Sequence, residues 1–117
     1  MIDERLARLM HRFAAAAVAH AAAMDEMDQD RAGRHTSMIQ GLYREIALTG
    51  REGREALLAL LDSDRKEVAG MAAVYSLCYS PERAVAVLRR LSSGEDLFGF
   101  RASMALERWE RGEWDLE

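Results

Sequence analysis

Apolar positions recur at three- and four-residue steps along most of the chain. Ile2, Leu6, Leu9, Phe13, Ala17, His20, Met24 and Met27 keep that step from the second residue onward, the spacing of one face of a helix. They predict a long first helix over 3–27, whose alanines let a neighbouring helix approach closely. After a turn around Arg31 to Arg34, Met38, Leu42, Tyr43, Ile46 and Ala47 mark a second helix, closed by Gly50 as a left-handed cap. "EALLALL", residues 55–61, is too apolar for a surface strand and reads as a short third helix, followed by "DSD" as a turn in which Asp62 or Ser63 caps the next element.

A fourth helix over 64–79 carries Val68, Met71, Ala72, Ala73, Val74, Tyr75, Leu77, Cys78 and Tyr79 nearly all round its circumference. Such a helix is buried on more than one side. Ser80 and Pro81 end it and open a fifth helix, serine as N-cap and proline at the first helical position. Ala84, Val85, Leu88 and Leu91 line that helix, and Ser92-Ser93-Gly94 stops it. Phe98, Ala102, Ala105, Leu106 and Trp109 mark a sixth, with Gly112 at its end and Trp114 free to fold back on the last turn as a lid or to stand exposed as an anchor for a partner. No segment alternates as a strand would, so the expected class is all-α.

Residues 10–30, "MHRFAAAAVAHAAAMDEMDQD", raise a competing reading as an export leader, with Arg5, Arg8 and Arg12 before an apolar run and Ala19-His20-Ala21 as a cleavage pattern. Asp3 and Glu4 oppose it, as does a helical periodicity that continues through the supposed cut. A membrane span needs roughly 20 apolar residues, and the run from Phe13 to Ala23 is about half that and is interrupted by His20. One amphipathic helix is the expectation.

A chain of 117 residues has the size of a single domain, 1–117. One cysteine, Cys78, excludes an internal disulfide and points to a reducing, cytoplasmic setting; its spacing beside Val74 and Leu77 predicts a small core residue. The net charge of −4 argues against a nucleic-acid partner unless basic side chains gather on one face. A single lysine, Lys66, stands against fifteen arginines, and there are twenty alanines. A GC-rich genome gives that bias without selection for a mechanism.

The motifs of catalysis are missing or incomplete, and neither enzyme activity nor a cofactor is expected. Ser63-Asp64-Arg65-Lys66 matches Ser-x-x-Lys without its companion elements. Gly50 to Gly53 lacks the lysine and the strand-to-helix context of a phosphate loop. His11 and His20 fall on opposite sides of one helix, and neither they nor His35 has a metal-binding spacing. Asp25, Glu26, Asp28 and Asp30 lack the glycine and closing glutamate of a calcium loop. Phe98 and Trp109 lie on the apolar stripe and read as core, and Glu107 with Arg111 as an i,i+4 pair.

"LLALLDSDRKEVAGMAAVYSL", residues 57–77, resembles a HEAT-type unit: a leucine-rich helix, an Asp-containing turn, then valine and paired alanines. Ala69 stands where an arginine usually follows that valine. "SPERAVAVLRRL", residues 80–91, and "GFRASMALERWERGEW", residues 99–114, are similar to the closing segments of a family of small bacterial proteins catalogued as a domain of unknown function. The resemblance spans residues 30–114 and is sharpest at the glycine-aromatic start and at Leu106, Trp109 and Gly112.

The resemblance implies a short HEAT-like α-α superhelix of about six helices with a long first helix, and no enzyme activity. Relatives of similar build occur as immunity proteins beside bacterial toxins, so the expected role is protein–protein interaction: occlusion of a basic toxin domain by an acidic surface. Candidate contacts are Asp25, Glu26, Asp28, Glu113 and Trp114. A nucleic-acid-binding alternative requires Arg65, Lys66, Arg101 and Arg108 to converge with Arg89 or Arg90. Self-association through the alanine face of the first helix is a third class.

Overall fold

The computed structural model describes residues 4–113 and carries six α-helices with no strand among the described residues. The all-α class and the long first helix predicted from periodicity are both present. The helices are α1 (Glu4–Asp25), α2 (Gln29–Leu48), α3 (Arg51–Ala59), α4 (Lys66–Ser76), α5 (Pro81–Ser92) and α6 (Leu97–Glu110), with a 3-10 turn at Leu60–Asp62. Packing divides the chain into two compact units, Met1–Leu60 and Leu61–Glu117.

In the first unit, α1 and α2 form a helical hairpin. Arg5 Nη2 lies 3.0 Å from Glu45 Oε1, which puts the start of α1 beside the end of α2. Leu6, Leu9, Phe13, Ala17 and Ala21 of α1 and Ala32, Ile39, Leu42 and Ile46 of α2 are buried, each set at the three- and four-residue step of one helical face. The alanine face is consumed inside this unit: Ala16, Ala17, Ala21 and Ala23 are buried, while Ala15 and Ala22 face outward.

The turn between the two helices lies earlier than Arg31 to Arg34. Asp28 N–H donates to Ala23 O at 2.9 Å and Met27 N–H to Met24 O at 3.1 Å, the paired 6→1 and 5→2 bonds of a Schellman ending. Met27 holds the left-handed position at φ 58°. Asp28 then caps α2, its side chain accepting from Arg31 N at 3.1 Å. Because that cap satisfies an orphan N–H of the first turn, α2 starts at Gln29, and Gly33 lies inside a helix rather than in the turn.

Gly50 ends α2 with the expected positive φ of 71°, but its ψ of −131° leaves the left-handed helical region and turns the chain straight into α3, of which it is the N-cap. Gly53 is required by a close approach: a Cβ there would overlap the Ile46 carbonyl oxygen and Thr49 Oγ1. That contact seats the first turn of α3 on the last turn of α2. The cap after "DSD" differs from expectation. Ser63 Oγ accepts from Arg65 N at 3.1 Å, a local turn, and α4 begins at Lys66 with no side-chain cap.

In the second unit, Val68, Ala69, Gly70, Ala72, Ala73, Tyr75 and Ser76 of α4 are all buried. At 100° per residue they cover more than half of the helix circumference, as its sequence predicts. Ser76 is the buried polar side chain among them, and its hydroxyl donates to Ala72 O at 2.8 Å. Cys78 is a correction: it is exposed, not core. The helix stops at Ser76, ahead of the Ser80-Pro81 step that disfavours helical backbone, and the turn that follows buries Leu77 while facing Cys78 outward. Phe98 and Trp109 are half-buried rather than core residues. Ser80 occupies the N-cap position of α5 without a side-chain bond, and Asp96 caps α6 through Gly99 N at 2.8 Å.

Candidate functional site

The residues expected to contact a partner fall in both units. Asp25 ends α1, Glu26 and Asp28 flank the left-handed Met27, and Glu113 follows Gly112 after α6. Trp114 lies outside the described residues. Within the first unit Glu26 and Asp28 of the acidic tract share a cation. The Arg31 guanidinium meets Glu26 Oε2 at 2.7 Å and Asp28 Oδ2 at 3.7 Å, and the hydrogen bond with Glu26 raises the Arg31 pKa above its ordinary value, against the opposing effect of desolvation. Glu26 and Asp28 are therefore partly neutralised and fixed, whereas Asp30 projects from the first turn of α2.

At the centre of this tract, Met27 is 83% exposed. A left-handed backbone costs an ordinary L-residue about 1–2 kcal/mol that glycine escapes. The turn thus holds an outward apolar side chain between acidic residues in the chain, on backbone fixed at both sides by the ending of α1 and the cap of α2. Periodicity places Met27 on the buried stripe, so its role at the tip is legible only once the helix is seen to end at Asp25.

The basic set required for nucleic-acid binding lies within the second unit and is only partly brought together. Lys66 and Arg101 both approach the Phe98 ring, at 5.3 Å and 5.6 Å from its centroid. Lys66 Nζ also lies 2.6 Å from Asp96 Oδ2, and Arg89 pairs with Glu110 at 3.1 Å. These partners spend positive charge internally. The Asp96 carboxyl is held below its usual range, first by the Lys66 hydrogen bond and then by the Gly99 N–H.

The same fold occurs in a bacterial protein of known structure. It is the protein RPA1889 from Rhodopseudomonas palustris CGA009, with a TM-score of 0.83 and 21% identity over 100% of both chains. No family model and no curated protein matches the chain. At that identity the likeness shows the fold alone.

Three further surfaces escape a sequence reading. Leu97, Phe100 and Met104 are exposed at i, i+3 and i+7 along α6. Pro81, Glu82, Val85, Ala86 and Arg89 line an open depression of about 380 Å³ on α5. Arg5, Arg8, Leu9, Arg12 and Glu45 line another of about 270 Å³ in the first unit. Among the described residues no group of three or more His, Cys, Asp and Glu could hold a metal ion, and no helix is long and apolar enough to cross a membrane.

Proposed function

We propose that this chain is a non-enzymatic, cytoplasmic protein-binding module, and in its most concrete form a bacterial immunity protein that neutralises a toxin by occlusion. The fixed acidic turn between α1 and α2 is the contact, and the observation that carries this reading is Met27, 83% exposed at φ 58°. An apolar anchor with a polar rim is the usual anatomy of a protein interface. Asp25, Glu26 and Asp28 supply the rim, and their charge favours a basic partner and speeds its encounter. The resemblance to small bacterial helical proteins found beside toxins supports the same role.

The test is affinity capture from the source organism with the intact chain, followed by identification of the captured protein and assay of its activity. The control carries Asp25→Lys, Glu26→Lys and Asp28→Asn; asparagine keeps the helix cap while removing its charge. One basic protein, inhibited by the intact chain and lost by the control, is the expected result. Capture that is unchanged in the control, or recovery of nucleic acid alone, contradicts the proposal.

A further inference from the structure

The far end of the same hairpin has the opposite charge. Arg5, Arg8 and Arg12 follow one another at i, i+3 and i+7 on α1, so they share one face. Together with Leu9 and with Glu45 from α2 they line an open depression of about 270 Å³. Glu45 already occupies one end of it, its carboxylate 3.0 Å from Arg5 Nη2. Arg8 and Arg12 are exposed and have no carboxylate partner among the described residues. The side of the pocket that is filled therefore displays the chemistry the open side lacks.

We propose that the Arg8–Arg12 face is a docking site for an acidic peptide segment of a partner protein, whose carboxylates extend the row begun by Glu45. Four residues of helix advance about 6 Å, so two carboxylates on successive turns of a partner helix, or alternate positions of an extended strand, reach both guanidiniums. Guanidinium groups bind carboxylates through paired, directional bonds. Nucleic acid fits less well. The row spans only about two helical turns, and no aromatic side chain lines the depression for base stacking. This surface is independent of the acidic turn, so either proposal can fail while the other stands.

The probes are hexaglutamate and a single-stranded DNA hexanucleotide, titrated into the full chain at low ionic strength while the arginine side-chain N–H resonances are followed. Hexaglutamate is expected to shift Arg8 and Arg12 selectively and to bind about tenfold more weakly to the Arg8→Ala, Arg12→Ala double variant. Glu45→Gln frees Arg5 and is expected to tighten binding severalfold, a gain that a merely structural role for Glu45 would not give. DNA binding as well as or better than hexaglutamate, shifts spread evenly over all the arginines, or weaker binding to Glu45→Gln would each overturn the proposal. A circular dichroism melt of each variant shows whether a loss reflects unfolding instead, and in that case Arg8→Gln with Arg12→Gln replaces the alanine pair.

Discussion

Helices α1 and α6 end with the same hydrogen bonds on different residues. After α6, Glu113 N–H donates to Arg108 O and Gly112 N–H to Trp109 O, both at 3.0 Å, with Gly112 at φ 73°. After α1, Asp28 and Met27 make the equivalent bonds with Met27 at φ 58°. The bond pattern is thus a property of how a helix closes, while the residue at its left-handed position decides the cost. Glycine at Gly112 removes that cost. Methionine at Met27 carries it, and the cap that Asp28 gives to α2 and the Arg31 pairs with Glu26 and Asp28 help to offset it within the turn.

Disturbing helix ends in turn sharpens this contrast. The largest effect is expected where a helix end is also a packing contact: Gly53→Val drives a side chain into the Ile46 carbonyl and Thr49 and should cost about 2 kcal/mol or more in urea denaturation. Asp28→Ala removes the cap on α2 and should cost about 1 kcal/mol, whereas Asp28→Asn should cost a fraction of that. Exchanging the two left-handed residues gives opposite signs. Gly112→Met is expected to destabilise by about 1 kcal/mol and Met27→Gly to stabilise by a similar amount, because the exposed methionine gives up little packing.

The smallest effect is on acid stability. Asp96 has its folded pKa depressed chiefly by Lys66. Its contribution is therefore present above the unfolded carboxylate value of about 3.9 and is lost as pH falls through the lower folded value. Replacing Lys66 by methionine should shrink that loss in an acid titration followed by circular dichroism, leaving the part due to Gly99.

Six helices are legible in the sequence because apolar side chains at three- and four-residue steps must share a face. What stays hidden is governed by single backbone choices. Met27 continues the apolar period of α1, so the period runs past the true helix end, while Gly33 looks like a turn residue but sits within α2. Cys78 fits the period of α4, yet the chain leaves the helix two residues earlier to reach Pro81. At the candidate contacts, the acidity of Asp25, Glu26 and Asp28 is plain in sequence. The fixation of Glu26 and Asp28 by Arg31 is not, because it depends on a tight turn that brings positions 26, 28 and 31 together. Arg5, Arg8 and Arg12 read as leader-like charge until Glu45 of α2 is seen across from them.

Under the proposed role, Met27 keeps its strained position because its side chain meets a partner. Met27→Gly tests it directly when urea stability and capture of the basic partner are measured on the same preparation. A variant that is more stable by about 1 kcal/mol yet captures the partner at least tenfold less well is the predicted result. A variant that gains the stability and keeps full capture would contradict it.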